Sequence, residues 1–290
     1  MILIDFTQIA IGSLMVAINK GGPDVDDGLI RTLILNNLKY YRGRFNEKYG
    51  ELVICCDSKH YWRRDYFPNY KANRKKDRAN SGHDWGFIFT SLNSIRDEIK
   101  EHFPYKVLEV YGAEADDIIA TLVKSSSDEG ITIIISSDKD FIQLHNHKVK
   151  QYSPVSKKFV EGNDPQSYLR EHILKGDRSD GVPNVLSADD TFVSEKRQKS
   201  MRKTMLITLT EAMEKWQPHE LYQLAKCNRD TWIHNWQRNE TLIDLDKIPD
   251  DLREEILREF KNAPTGDRSN LFNYFVEKKL NNLIQSIGDF

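Results

Sequence analysis

Two aspartates, Asp138 and Asp140, stand two apart in "SSDKDF" (136–141), directly after the apolar run "ITIII". A charge at the end of a buried strand is costly unless something positive answers it. The arrangement recurs. The run "LIDF" puts Asp5 at the end of the first apolar stretch, and "CCDS" puts Asp57 at the end of the second. A third group, "EADD" at 114–117, places Glu114, Asp116 and Asp117 at the head of a helix-patterned run. Taken singly, each Asp is a turn residue or helix cap, and "EADD" complements a helix dipole. Taken together, they form an acidic cup that repels itself unless cations neutralise it. An all-oxygen ligand set suits hard ions, Mg²⁺ or Mn²⁺. Two such ions about 3.5–4 Å apart can activate a water and stabilise a leaving oxygen in phosphodiester hydrolysis.

Chemistry on phosphates needs positive charge nearby. Residues 59–78, "KHYWRRDYFPNYKANRKKDR", hold eight Lys/Arg against two Asp, a net +6 in a chain whose formal total is −2. The basic residues include Arg63, Arg64, Lys71, Arg74, Lys75, Lys76 and Arg78, and five aromatics, Tyr70 among them, are interleaved. Cations neutralise phosphates, and rings stack on unpaired bases. A solvated basic loop is the plainer alternative, but such loops rarely carry five aromatics in twenty residues. The stretch leaves directly from Asp57 and is expected to overhang the cup. A second run, "EKRQKSMRK" (195–203), carries Lys196, Arg197, Lys199, Arg202 and Lys203 with no aromatic. It reads equally as a solvated helix or as a DNA contact.

The elements that must position these residues are legible. Short β-branched runs at 2–4, 52–56, 106–110, 132–135 and 149–152 alternate with helical patterns at 26–42, 91–102 and 114–124. That alternation predicts an α/β fold with a mostly parallel central sheet and flanking helices. In such a sheet ligands sit beyond the carboxyl ends of the strands, where Asp5, Asp57 and Asp138 fall. On a wheel of the "EADD" helix, Glu114 and Asp116 flank the apolar stripe, whereas Asp117 points more nearly away. After residue 162 the strand-like runs stop and helical runs such as 200–216, 250–261 and 271–287 take over. The expected division is therefore an α/β core over 1–162, with a basic arch at about 58–82, and a helical region over 163–290 packed on it.

The 290 residues, 39% apolar and 30% charged, allow one large domain or two small ones. Cys55, Cys56 and Cys227 lack zinc spacing and read as core thiols of a reducing compartment. "MILIDF" has no basic leader and no run reaches the ~20 residues of a membrane span. The expectation is a cytoplasmic protein that is neither secreted nor membrane-bound.

Five stretches, "LIDF" (3–6), "CDSKHYWRRDYFPNYKANR" (56–74), "EADD" (114–117), "SSDKDF" (136–141) and "LKGDRSDGVPNV" (174–185), together resemble the flap endonuclease and 5′-nuclease superfamily. The tail, "LIDLDKIPD" (242–250) and "NYFVEKKLNNLIQSIGDF" (273–290), resembles its T-even bacteriophage RNase H branch, so the likeness runs over essentially the whole chain. The resemblance implies a helix–three-turn–helix-like DNA-binding element opened by "GDRSDG", a segment that otherwise reads as an ordinary turn. It implies one metal held by Asp5, Asp57, Asp116 and Asp138, and a second surrounded by Glu114, Asp140, Asp177 and Asp180. It implies that Lys71 and Arg63, eight residues apart, contact the scissile phosphate. Two positions depart from the family: Gly181 replaces an Asn and Asn184 replaces a Gly.

What the resemblance implies is a monomeric Mg²⁺-dependent 5′→3′ exonuclease and flap endonuclease of phage replication, in the infected bacterial host. It would remove RNA primers and adjoining DNA from forked or flapped substrates, beside a phage single-stranded-DNA-binding protein and a sliding clamp. The terminal "QSIGDF" has the Gln, aliphatic and aromatic order of a clamp-binding peptide, though an ordinary helix end is the plainer reading. Two other readings stay open: an aspartyl-nucleophile phosphatase using Asp138-x-Asp140, and a forked-DNA-binding protein whose carboxylates only hold structural ions.

Overall fold

The computed structural model describes residues 1–19, 25–126, 130–162 and 164–290. Six strands, β1 (Ile2–Asp5), β2 (Leu52–Cys56), β3 (Lys106–Glu109), β4 (Thr132–Ile135), β5 (Val149–Ser153) and β6 (Lys158–Phe159), form one sheet in the order β3-β2-β1-β4-β5-β6. Every pairing is parallel except the antiparallel β5–β6 edge. β1, β2 and β4 are buried along their whole length, which is why they read as continuous apolar runs rather than alternating ones. The register sets Asp5 beside Cys55 and Ile4 beside Ile135, so β1, β2 and β4 end nearly level. Chain order reverses between β1 and β4, and a reversal of this kind opens a crevice at the carboxyl edge of the sheet.

The chain forms two units that interleave in sequence. One comprises Met1–Lys59, Asp84–Glu161 and Asp250–Phe290, the other His60–His83 and Gly162–Pro249. This differs from the expected division at 162. The helix Asp250–Asn262 packs against the helix Ala115–Ser125 and against β3 of the sheet unit. Phe275 and Phe290 close on Phe103 in the sheet unit's core, at ring distances of 6.1 and 5.5 Å. Helical patterning states that a segment hides one face but not which core it hides it in. The clamp-peptide reading of the terminus goes the same way, because the Phe290 ring is wholly buried.

The predicted strands are present, with β6 added. The helix expected over 26–42 runs from Asp27 to Tyr49, with the Asp26 carboxylate accepting from Leu29 N and Gly50 ending it at φ +84°. The helix expected over 271–287 breaks into Leu271–Glu277 and a short turn Asn281–Ile284, with Lys279 in left-handed backbone between them. The sequence reading passed over the helices Phe6–Asn19, Pro165–Lys175 and Arg229–Ile243, and two short ones inside the basic stretch, Trp62–Tyr66 and Asn73–Ala79.

The core of the helical unit holds Leu174, Val185, Leu209, Trp232 and Trp236. Buried Arg238, on the helix Arg229–Ile243, organises the turns after Pro165–Lys175. Its guanidinium donates to the carbonyls of Pro183, Asn184 and Ser187 and to the Asp189 carboxylate. Asn239 adds donors to the Ile173 and Pro183 carbonyls. Otherwise unanswered backbone groups are thereby satisfied inside the unit.

Candidate metal centre and nucleic-acid surface

The sheet unit gathers six of the predicted carboxylates at one edge. Asp5 ends β1 where the helix Phe6–Asn19 begins, and its Oδ1 accepts from Gln8 N at 3.2 Å. Its Oδ2 accepts from Ser136 Oγ at 2.8 Å, and Ser136 Oγ in turn accepts from Asp138 N at 3.0 Å. Ser136 therefore ties the ends of β1 and β4 together, and neither aspartate is placed alone. The loop is held from below by Gln151 on β5, which is fully buried and whose Nε2 donates to the Ser136 and Asp138 carbonyls. Asp138 Oδ1 accepts from Asp140 N, starting the short 3₁₀ turn that carries Asp140. Asp57, one residue beyond β2, accepts from Ala115 N with Oδ1, which fixes the head of the "EADD" helix to the second strand. Asp116 is half-buried there and Glu114 is buried.

Asp117 has a different place. It is wholly buried, and its Oδ2 accepts from Glu114 N in a capping box. It frames the helix start, and its burial corrects the wheel reading, which pointed it away from the apolar stripe.

The electrostatics test whether this set fits a cation. Burial pushes the Asp5 carboxyl up to about 7, and the charges of Asp57 and then Asp138 push the same way against the Ser136 and Gln8 hydrogen bonds. The hydrogen-bond donors to Asp5 are neutral, and the charged neighbours acting on it are carboxylates. A hard divalent ion among these oxygens reverses that penalty, so the residues present fit one. Buried Cys55 and Cys56 lie in β2, and burial raises both thiols, as expected of core residues.

The basic stretch lies in the helical unit and is folded rather than loose. Lys71 sits in left-handed backbone at φ +57°, and its N donates to the Asp180 carbonyl at 2.7 Å. Its Nζ is 3.5 Å from Asp180 Oδ2 and lies over the Tyr70 ring at 5.0 Å. Arg74 Nη2 donates to Asp180 Oδ1 at 2.6 Å. Tyr70 was expected to stack on bases, but its ring is buried in the apolar cluster and its hydroxyl donates to Asp180 Oδ2. It orients a carboxylate, because an aromatic next to Pro, Phe and Tyr finds a core before it finds a ligand. Arg63 is also buried, with Nε donating to the Leu242 carbonyl at the end of a helix. Arg64 and Lys75 are exposed, and Arg78 is half-buried.

Asp177 and Asp180 share one turn. Asp177 Oδ1 accepts from Ser179 N, Ser179 Oγ and Asp180 N, and its Oδ2 lies 3.2 Å from His172 Nε2. Burial works to raise this carboxyl, but hydrogen bonds from His172 and Ser179 outweigh it and hold it well below the usual carboxylate range. The second basic run is not a helix. Residues 196–202 are irregular, and the helix Lys203–Ala212 begins after them. Lys196, Arg197 and Lys199 line a cavity of about 990 Å³ with Lys76, Lys175 and Arg178, and with the acids Asp77 and Glu195. Arg202 stands at the N-cap position of the following helix without a side-chain capping bond, and Lys203 begins the helix.

Comparison with known proteins decides the family. Residues 30–173 match the model of the 5′-3′ exonuclease N-terminal resolvase-like domain, and 165–290 match that of the T4 RNase H C-terminal region. Ribonuclease H of Enterobacteria phage T4 is 37% identical over 99% of this chain and 95% of its own length. The chain belongs to the 5′-3′ exonuclease family, in its T4 RNase H branch. Family membership makes it a nuclease and removes the ground for the phosphatase and pure-binder readings. The flap endonuclease Xni of Shewanella sp. (strain MR-4) is 27% identical over 43% of this chain and 48% of its own. The zinc-bound T5 5′-exonuclease superposes with a TM-score of 0.61 at 17% identity, covering 91% of this chain and 98% of that one. The T5 D15 flap endonuclease in complex with DNA and metal ions gives 0.59 at 16% identity, covering 90% and 99%. These last two establish a shared fold.

The departures from the family pattern have local causes. Gly181 lies at φ +74°, and a Cβ there would stand 2.9 Å from the Asn69 carbonyl oxygen. Asn184 is buried, with Oδ1 accepting from Leu186 N and Ser187 Oγ and Nδ2 donating to the Lys199 carbonyl. It thus anchors the second basic run. Ser136, Gln151 and Arg238 were not singled out from sequence. Their sequence neighbours do not mark them: Gln151 follows Lys150 in "VKQYS", and Arg238 lies in the polar-looking "NWQRNE".

Proposed function

We propose that this exonuclease-family protein is a Mg²⁺-dependent 5′→3′ nuclease of phage replication. It trims RNA primers and adjoining DNA from lagging-strand fragments and cuts 5′ flaps, acting as a monomer in the cytoplasm of the infected host. The observation that carries this reading is the pair Asp5 and Asp138, bridged by Ser136 where the strand order reverses. Asp5, Asp57, Asp116 and Asp138 would hold one ion, with Glu114 and Asp140 serving a second. Asp177 and Asp180 are assigned to the second ion's surroundings by the family resemblance alone, and Asp117 is left to the helix start. Bound divalent ions supply charge stabilisation on the phosphate and lower the pKa of water.

The chain's own residues do the rest. Ser136 and Gln151 fix the two aspartates before any ion arrives, so little reorganisation remains. Lys71 would meet the charge of the scissile phosphodiester, whereas Arg63, expected from the resemblance to do the same, is buried on the Leu242 carbonyl and would brace the stretch that carries Lys71. Parking Lys71 on Asp180 keeps its ammonium aimed. The exposed cations of the 59–78 stretch and of 196–203 would draw the single strand and the duplex by their phosphates. A single-stranded-DNA-binding protein and a sliding clamp are the partners this role calls for.

The test is a forked duplex with a labelled 5′ flap, incubated in Mg²⁺, in EDTA and with Asp138→Asn. Short labelled products in Mg²⁺ with the unaltered protein alone support the reading. Binding without cutting in every lane defeats it.

A further inference from the structure

The helical unit contains a second cavity, of about 380 Å³, lined by Lys71 and other cations of the basic stretch. Its walls include Tyr61, Arg64, Lys71, Arg74, Lys75 and Arg78. Five of those six are cations, and among the described residues no carboxylate lines it. The two acids of the same stretch are directed elsewhere. Asp65 pairs with His60 at 2.8 Å, and Asp77 lines the larger cavity. Cations outnumber acids around this concavity, although the Asp180 carboxylate answers Arg74 at 2.6 Å and lies 3.5 Å from Lys71 Nζ. Arg64 also lies over the Tyr61 ring at 4.7 Å, so the cavity joins an aromatic face to its cations.

We propose that this cavity receives the 5′-terminal phosphates of the strand being degraded and favours a terminal triphosphate, the end that an RNA primer carries from its synthesis. The proposal rests on the nuclease reading for its substrate. A diester phosphate along a strand carries one negative charge, and a terminal monophosphate about 1.5 to 2. A terminal triphosphate carries more again, within a few ångströms. A chain of single charges is served by an open track of spaced cations. A concavity of 380 Å³ ringed by five cations matches a compact polyanion better. Guanidinium forks suit phosphate oxygens, and three of the five cations are arginines. The cluster is under mutual strain: burial lowers the Arg78 guanidinium, and Arg74 and Arg64 are among the charges that add to this. An oligophosphate relieves that strain, and the Tyr61 ring offers a face to the first base.

The experiment uses one RNA strand on a DNA template, prepared with a 5′-hydroxyl, a 5′-monophosphate or a 5′-triphosphate. Affinity is titrated in EDTA, where nothing is cut, and initial cleavage rates are measured in Mg²⁺. The full chain should bind the triphosphate end about tenfold more tightly than the hydroxyl end, with the monophosphate between, as one or two charge-assisted contacts imply. Arg78→Ala should bring that ratio close to one. Arg78→Lys, which keeps the charge, should retain most of it and shows that the fold survives substitution. Equal affinity for the three ends overturns the proposal. So does an Arg78→Ala protein that weakens on all three ends with the ratio unchanged, which assigns the cluster to internal phosphates. Absence of cutting in Mg²⁺ with the end preference intact in EDTA defeats the nuclease reading and leaves the receptor standing.

Discussion

Asp5 is the residue on which stability and function pull apart. Its carboxyl is raised to about 7 by burial and by neighbouring carboxylates. A raised acid binds its proton more readily folded than unfolded. Between its ordinary value near 4 and about 7, the folded chain therefore holds more protons, and stability of the metal-free protein falls as pH rises through that window. Thermal melts in EDTA at pH 5 and pH 8 should show the higher midpoint at pH 5, so far as this group governs it. Asp5→Asn should raise the pH 8 midpoint by a few degrees in EDTA while abolishing cleavage. An unchanged pH 8 midpoint would show that Asp5 carries no such penalty. Asp138→Asn removes one oxygen of the proposed ligand set without emptying space, and a loss of several kcal/mol of transition-state stabilisation corresponds to about a thousandfold or more in initial rate. The acidic residues were legible because three strand ends and one helix start repeat the same device. Ser136 and Gln151 were not, because a serine in a turn and a glutamine in a strand are common, and only the register reveals what they hold.

The turn at 177–182 and the basic stretch behave as one element. Lys71 N and the Asp180 carbonyl meet at 2.7 Å, and Gly181 lets the two turns approach that closely. Gly181→Ala adds a Cβ 2.9 Å from a backbone oxygen at φ +74°. The cost should be about 1–3 kcal/mol, read from the urea midpoint, with cleavage falling further than stability because Lys71 is displaced. Arg238→Met should cost more, about 3–5 kcal/mol, since the Asp189 charge and several carbonyls lose their donor. At this scale the sequence was readable where periodicity was strong, as in the five parallel strands. It was opaque where burial depended on partners far away in the chain. The helix Arg229–Ile243 looks polar in a linear reading because its Arg238 and Asn239 face a core of carbonyls.

At the scale of the molecule, a net charge of −2 conceals a division of labour. Carboxylates concentrate at one edge of the sheet unit, and cations concentrate in the helical unit. Affinity for forked DNA should therefore fall steeply with salt despite the acidic total. Replacing Lys75 and Arg78 together by Ala should reduce the slope of log K against log salt by about 1 to 2. A slope unchanged by the double substitution would mean that these cations touch no phosphate. Divalent ions should stabilise the protein more at pH 8 than at pH 5, because protons compete for the same oxygens. No described helix is long and apolar enough to cross a membrane.

The interleaving of the two units bears on how the chain is born. The polypeptide passes between them at 59/60, 83/84, 161/162 and 249/250. On a ribosome adding ~5–20 residues per second, the sheet strands emerge well before the helices of Asp250–Phe290 that seal their core. The acidic edge is thus translated early, but the unit bearing it closes only once Asp250–Phe290 has followed. A nuclease whose core is sealed by a segment translated so much later than its strands spends little time as a half-built, active fragment among the nucleic acids of the cell that makes it.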